Sequence, residues 1–224
     1  MDRDVVQSTS VLTVSTTISG RYLIRPASTK RPAPLLLGFH GYGENAETNM
    51  QELTSLPGAD QWLLVSVQAL HRFYARKTRS IVASWMTSQD RLRMIEDNIA
   101  YVDAVVTQVS REQETTSTLV CCGFSQGVGM AYRAGLRGKH RANGLIALAG
   151  DIPPELRTES NMSWPQVLVG RGRNDSFYTQ EKMDKDLKTL RENDALFKSI
   201  VFDGGHDWHS DFRASAGRLL KTLL

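Results

Sequence analysis

One serine of this chain lies in a five-residue pattern suited to nucleophilic chemistry. The pattern is Gly123-Phe124-Ser125-Gln126-Gly127, a G-x-S-x-G sequence between a predicted strand and a predicted helix. A serine at such a junction occupies a tight, strained turn that projects its hydroxyl from the strand end. The flanking glycines allow close packing that a Cβ atom would block. We therefore predict that Ser125 is a nucleophile.

A serine hydroxyl reacts poorly until a base takes its proton, and we assign this role to His206. His206 ends the run Asp203-Gly204-Gly205-His206, directly after the last predicted strand, where two glycines permit a loop to curl over the sheet end. His209 is the closest rival, but we expect it to begin the closing helix. His71 and His140 lie among arginines and lysines and are interpreted as surface residues.

The histidine needs an acid that orients it, and we favour Asp175. Asp175 follows the strand that precedes the strand of His206, which gives the order serine, aspartate, histidine along the chain. Asp151 is the alternative, because its loop after an earlier strand opens onto the same sheet edge. Asp184 and Asp186 fall on a predicted helix, and we interpret them as solvent-facing charges.

Acyl transfer also needs backbone N–H donors where negative charge develops, each worth about 3 kcal/mol. We expect one donor at Gln126, the residue after the nucleophile. We expect the other in Phe39-His40-Gly41-Tyr42-Gly43, a glycine-rich turn after an early strand. His40 is then a residue that organises the loop.

Strand-like apolar runs alternate with segments of helical period, which predicts an α/β fold with a mostly parallel sheet of about eight strands. An opening hairpin is predicted from Val11–Ile18 and Tyr22–Arg25, with Ser19-Gly20 at the turn. The later predicted strands are 34–40, 62–68, 119–124, 145–149, 165–170 and 197–202. The predicted helices are 46–56, 91–109, 126–137, 178–191 and 211–223. The stretch 151–164 is too short for a helical cap, which predicts a shallow, open site.

Length and composition indicate one soluble domain over residues 1–224, with 41% hydrophobic and 23% charged residues. The formal charge of +3 is too small to indicate nucleic acid. No apolar run approaches the roughly 20 residues that span a bilayer, and the N-terminus lacks a signal-peptide pattern, so a cytoplasmic location is expected. The adjacent Cys121 and Cys122 lack disulfide and metal-ligand spacing and are interpreted as buried thiols.

Four segments together resemble the phospholipase/carboxylesterase family of the α/β-hydrolase fold, which includes acyl-protein thioesterases and small bacterial carboxylesterases. They are His40-Gly41-Tyr42-Gly43, Gly123-Phe124-Ser125-Gln126-Gly127, Gly172-Arg173-Asn174-Asp175 and Gly204-Gly205-His206. The resemblance runs from about Pro34 to the C-terminus. It implies a triad of Ser125, Asp175 and His206, with Tyr42 and Gln126 as the oxyanion donors.

Ser84-Trp85 is similar to the Ser-Trp segment beside the family's acyl site, although the usual Phe-Asp continuation is Met86-Thr87 here. The resemblance implies that Trp85 and Met86 bind substrate, and the departure puts the acyl-chain preference in question. The run 71–79 mixes aromatic and basic residues. We interpret it as a solvated loop, and the alternative is that it holds an anionic substrate.

We therefore expect a carboxylic ester hydrolase that acts through an acyl-serine intermediate on small to medium acyl esters, without a metal or another cofactor. The alternatives are an acyl-thioesterase or lysophospholipase, and a non-catalytic ligand-binding protein of the same fold. The expected partner is a small-molecule ester, with no nucleic acid and no membrane insertion. A homodimer is left open.

Overall fold

A computed structural model describes residues 9–28, 32–159 and 162–224. The strands in this part of the chain are β1 (Arg21–Arg25), β2 (Ala33–Phe39), β3 (Leu63–Gln68), β4 (His71–Tyr74), β5 (Ile81–Ser84), β6 (Thr115–Phe124), β7 (Gly144–Leu148), β8 (Gln166–Gly172) and β9 (Phe197–Phe202). The helices are α1 (Ala46–Thr54), α2 (Arg91–Glu112), α3 (Gln126–Arg137), α4 (Pro154–Arg157), α5 (Gln180–Glu192) and α6 (Ser210–Thr222), with a 3-10 turn at Ala59–Gln61.

Seven strands form the central sheet in the order β1-β3-β2-β6-β7-β8-β9. All neighbours are parallel except β1, which runs antiparallel to β3. The inner strands are nearly continuous apolar runs, such as Leu145–Leu148 and Val167–Val169, because helices cover both faces. The chain therefore has the mostly parallel α/β architecture that its alternating pattern predicts.

Helices α2, α3 and α5 pack on one face of the sheet, and α1 and α6 pack on the other. Helix α2 shows why: its buried residues recur every three or four positions and form one apolar stripe. These residues include Ile95, Val102, Val105, Val106 and Val109. The parallel strands then end together at one edge, and the loops after β2, β6, β8 and β9 meet there.

The predicted opening hairpin is wrong in its first half. Residues 9–20 form no strand, and the side chains of Val11, Leu12 and Val14 are 86%, 89% and 88% exposed. Only Arg21–Arg25 is a strand, and it pairs with β3 rather than with the residues before it. A β-prone composition expresses a preference only where a partner strand and a packing surface exist.

The run after β3 is a ribbon, where we predicted a loop. His71–Tyr74 pairs antiparallel with Ile81–Ser84, outside the main sheet. The central sheet thus has seven strands where about eight were predicted, and the described chain has nine in all.

The connection from β7 to β8 carries one helix among its described residues, the four-residue α4. Cys121 and Cys122 are buried free thiols, as predicted, and burial raises the pKa of Cys121 to about 12. Within the described ranges, no helix combines the length and apolar character needed to cross a bilayer.

Candidate active site

Ser125 occupies the turn between β6 and α3 in a conformation that side chains rarely adopt. Its backbone has φ 53° and ψ −121°, and its N–H donates to the carbonyl oxygen of Leu148 at 2.9 Å. A non-glycine residue in such a region is strained by about 1–3 kcal/mol. The sharp turn points the hydroxyl away from the strand end, as the G-x-S-x-G sequence predicts.

The two motif glycines are required by close backbone contacts. A Cβ atom at Gly127 would lie 2.1 Å from the carbonyl oxygen of Phe39, and one at Gly123 would lie 2.5 Å from the carbonyl oxygen of Gly127. The first turn of α3 therefore presses against the end of β2. This packing brings the loop after β2 next to Ser125.

The structure brings His206 between Ser125 and Asp175. His206 Nε2 lies 2.8 Å from Ser125 Oγ, and Nδ1 lies 2.9 Å from Asp175 Oδ2. The Asp175 side chain has no exposed surface, whereas 22% of the His206 side chain is exposed. The imidazole lies between the rings of Phe124 and Phe177, with centroids 5.1 and 5.0 Å away. One end of this hydrogen-bonded path is therefore buried and the other faces solvent.

The carboxylate of Asp175 is held by its own loop. Its Oδ1 accepts the backbone N–H groups of Phe177 at 2.8 Å and Tyr178 at 2.9 Å, which leaves Oδ2 for His206. A Cβ atom at Gly172 would lie 2.1 Å from the carbonyl oxygen of Gly205. The loops that carry the acid and the histidine thus pack backbone against backbone, which explains their glycines.

The rival candidates lie elsewhere. Asp151 is exposed and forms an ion pair with Lys182 at 3.7 Å. His209 caps α6, accepting from the N–H of Asp211 at 3.2 Å, and its ring stacks on Phe202 at 4.9 Å. None of these contacts involves Ser125 or His206.

The expected oxyanion donors flank Ser125. Gln126 is the first residue of α3, so its N–H has no acceptor within the helix. On the other side, a Cβ atom at Gly41 would lie 3.3 Å from Ser125 Cβ. Gly41 donates to Glu44 Oε2 at 2.7 Å, and Gly43 donates to the carbonyl oxygen of Ala83 at 3.0 Å. These bonds hold the Tyr42 backbone beside the serine.

His40 organises this loop from below. Its Nδ1–H donates to the carbonyl oxygen of Gly41 at 2.7 Å, and its Nε2 accepts from the N–H of Ala69 at 3.1 Å. Burial lowers the pKa of His40, which keeps the ring neutral, as this pair of bonds requires. Glu44 is half-buried, and burial raises the pKa of its carboxyl.

Trp85 differs from its expected place at the acyl site. Its ring has no exposed surface, and its Nε1–H donates to the carbonyl oxygen of His40 at 2.8 Å. It therefore supports the loop and offers no surface to a substrate, whereas Met86 is partly exposed. The Gln126 side chain accepts from the N–H of Trp85 at 2.9 Å and donates to the carbonyl oxygen of Met86 at 3.0 Å.

Two large, exposed aromatic side chains lie in the loops beside Ser125 and His206. Tyr42 and Phe177 are 64% and 69% exposed, and the Tyr42 ring lies 5.6 Å from that of Phe73 on the ribbon. The ribbon is tied to the loop of residues 40–44 by the bonds between Ala83 and residues 43 and 44. Across the described residues, no cluster of three or more His, Cys, Asp or Glu is arranged to hold a metal ion.

Two contributors were missed in the sequence. Asp186, interpreted as solvent-facing, is fully buried on α5 and binds the loop of Asp175. The signal was its place on the helix, since it shares a face with Met183 and Leu190 at spacings of three and four. The positioning role of the Gln126 side chain carried no comparable signal.

Comparisons with known proteins agree with this architecture. The profile of the family described as Phospholipase/Carboxylesterase matches residues 24–177. The esterase PE8 structure is 22% identical, with a TM-score of 0.77 over 92% of this chain and 100% of that one. The Bacillus cereus carboxylesterase is 15% identical, with a TM-score of 0.70 over 92% and 95%. Zea mays acyl-protein thioesterase 2 is 18% identical, with a TM-score of 0.67 over 91% and 99%. A search among curated proteins finds no match.

Proposed function

Because the chain belongs to the phospholipase/carboxylesterase family, we propose that it hydrolyses carboxylic esters through an acyl-serine intermediate. Ser125 is the nucleophile, His206 the general base and Asp175 the orienting acid. The observation that carries the proposal is the hydrogen-bonded path from Asp175 through His206 to Ser125, with distances of 2.9 and 2.8 Å.

In the first half-reaction, His206 Nε2 takes the proton of Ser125 while Oγ attacks the carbonyl carbon of the ester. The carbonyl electron pair moves to oxygen, and the N–H groups of Gln126 and Tyr42 stabilise this charge. When the intermediate collapses, the bond to the leaving oxygen breaks and His206 returns the proton to the departing alcohol. The acyl group stays on Ser125.

In the second half-reaction, His206 takes a proton from water as its oxygen attacks the acyl carbon. Collapse expels Ser125 Oγ, which regains the proton, and releases the carboxylic acid. Asp175 stabilises the imidazolium that forms in each half. It is suited to this because it is buried, and because its other oxygen is already satisfied by backbone N–H groups.

A thioesterase or lysophospholipase is the second candidate, since sulfur and oxygen esters share this route. The exposed aromatic rings around Ser125 favour it, because they offer a surface to long acyl chains. These rings belong to Tyr42, to Phe73 beside it and to Phe177. Parallel assays of oxygen and sulfur esters, from acetyl to palmitoyl, rank the two candidates.

Labelling with a fluorophosphonate tests the nucleophile. We expect the probe on the Ser125 peptide by mass spectrometry, and no label on Ser125→Ala at matched folding by circular dichroism. Turnover of p-nitrophenyl butyrate should be lost in the same variant. An unlabelled but folded wild-type protein would overturn the proposal and leave a non-catalytic binding protein.

A further inference from the structure

Asp186 lies on α5, outside the hydrogen-bonded path described above, and is completely buried. Its carboxylate accepts from three groups that belong to different parts of the chain. The Tyr178 hydroxyl donates to Oδ2 at 2.7 Å, Arg157 Nη2 donates to Oδ1 at 2.6 Å, and the N–H of Ile152 lies 3.1 and 3.2 Å from the two oxygens. Asp186 therefore joins α5, α4 and two loops.

One of these links leads to the acid of the proposed triad. Tyr178, whose hydroxyl binds Asp186, also donates its backbone N–H to Asp175 Oδ1 at 2.9 Å. Its carbonyl oxygen accepts from Arg171 Nε at 3.0 Å, at the end of β8. Tyr178 is thus fixed at both its ring and its main chain. The bond at its ring and the bond at its carbonyl oxygen both restrain the N–H that holds Asp175.

The other links lead toward the nucleophile. Ile152 and Arg157 belong to the connection after β7, and this connection touches the serine turn. A Cβ atom at Gly150 would lie 2.4 Å from the carbonyl oxygen of Ser125. Asp186 therefore restrains the backbone on both sides of the site, at the acid and at the nucleophile.

A carboxylate in this position is costly for the fold alone. Burial raises the pKa of Asp186 to about 6, even though Arg157 and Tyr178 both bind it. Asp151 adds like charge nearby, and the buried Tyr132 of α3 also faces the carboxylate. A well-packed apolar side chain often stabilises a core at least as well as a buried ion pair. A positioning role accounts for an acid here.

We propose that Asp186 is a positioning residue that holds the Asp175 loop, through Tyr178, in the arrangement that orients His206 toward Ser125. The catalytic consequence rests on the proposed function. The geometric consequence does not, because it concerns the bond between Asp175 and His206 in the resting protein.

Three variants test this in the full chain. Tyr178→Phe removes only the hydroxyl link, Asp186→Asn alters the whole hub, and Asp184→Asn is the matched control, an exposed aspartate on the same helix. We expect kcat for p-nitrophenyl butyrate to fall about 10-fold in Tyr178→Phe and up to about 100-fold in Asp186→Asn, with KM little changed. The control should match the wild type, and Asp186→Glu should recover part of the loss.

The NMR resonance of the His206 Nδ1 proton gives a readout that needs no turnover. In the wild type we expect a downfield signal from the bond to Asp175, and a shifted or broadened signal in Tyr178→Phe and Asp186→Asn. An unchanged signal in Tyr178→Phe would overturn the inference. This test stands even if Asp186→Asn does not fold. A fall in kcat without any change in the signal would overturn the inference as well. If the wild type hydrolyses no ester, the proposed function fails, but the proton signal still decides this question.

Discussion

His206 has a hydrogen-bond partner on each ring nitrogen, and this determines where its hydrogen must be. An ionised carboxylate only accepts, so Nδ1 carries the hydrogen that faces Asp175. Nε2 is then free to accept from the Ser125 hydroxyl at 2.8 Å. The base proposed for Ser125 needs this tautomer, and the fixed carboxylate of Asp175 selects it.

Replacing the acid should therefore cost far more than replacing its rival. We expect Asp175→Asn to lower kcat by about 10⁴-fold, because an amide favours the wrong tautomer. Asp151→Asn should lower kcat by less than about threefold, since Asp151 forms only a surface ion pair. Initial rates with p-nitrophenyl butyrate measure both changes. A larger loss in Asp151→Asn would assign the orienting role to that residue.

Asp186 should also leave a signature in the pH dependence of stability. Its pKa rises from 3.8 to about 6 on folding, so the folded chain holds this proton more tightly than the unfolded chain. The resulting stabilisation is complete below about pH 4 and is lost as pH rises through about 6. We expect the free energy of unfolding of Asp186→Asn, relative to wild type, to increase by up to about 3 kcal/mol between pH 4 and 7. Urea unfolding measures this, and a difference that is constant with pH would contradict it.

At the scale of elements, the start of α3 is fixed by its contact with β2. Gly127→Ala would place a methyl group 2.1 Å from the Phe39 carbonyl oxygen, which is backbone and cannot move aside cheaply. We expect a loss of about 3 kcal/mol or more in unfolding free energy. Gly205→Ala is the control, because no atom lies within 4 Å of the added Cβ. Equal melting temperatures for both variants would contradict this packing.

The ribbon of β4 and β5 ends in three exposed cations, Arg76, Lys77 and Arg79. The ribbon is bonded through Ala83 to the loop of residues 40–44, so the alternative interpretation of the run 71–79, that it holds an anionic substrate, can be tested. We expect the joint change of these three cations to glutamine to lower kcat/KM for an anionic ester about 10-fold at low salt, and less at high salt. A neutral ester of the same acyl group is the control. Equal losses for both esters would leave the ribbon a structural element.

Elements buried on both faces were predictable, and those that depend on a particular neighbour were not. The runs at β2 and β7, and residues 119–124 of β6, are apolar and buried, so strand and position followed from composition. Each strand of the ribbon is only four residues long, and among the described residues outside the ribbon they pair only with Glu44 through Ala83, so no hydrophobic period announced it. Val11–Ile18 is the reverse case, because it has the pattern of a strand but pairs with no described strand.

At the scale of the molecule, the site depends on strands that are far apart along the chain. β6, β8 and β9 run parallel and end at one edge, so the loops that carry Ser125, Asp175 and His206 converge there. This much follows from the motif order and the alternating pattern. The burial of Trp85 and Asp186 does not follow, because it depends on which loops cover them.

The exposed residues 9–20 should contribute little to the stability of the whole. Three large apolar side chains in this segment are almost fully exposed, so they bury no surface that folding could gain from. We expect changing Val11, Leu12 and Val14 together to serine to alter the unfolding free energy by less than about 0.5 kcal/mol. Chemical denaturation measures this, and a marked loss would mean that the segment packs against the fold in solution.

The strained backbone of Ser125 keeps a hydroxyl group at this turn at the expense of stability. Glycine adopts a positive φ without strain, so a chain shaped only to resist heat would have glycine at this turn. Keeping a hydroxyl there lowers the free energy of unfolding, and packing elsewhere in the sheet must offset this loss. Exchanging Ser125 for glycine should therefore make the protein more resistant to heat and, under the proposed function, abolish ester hydrolysis.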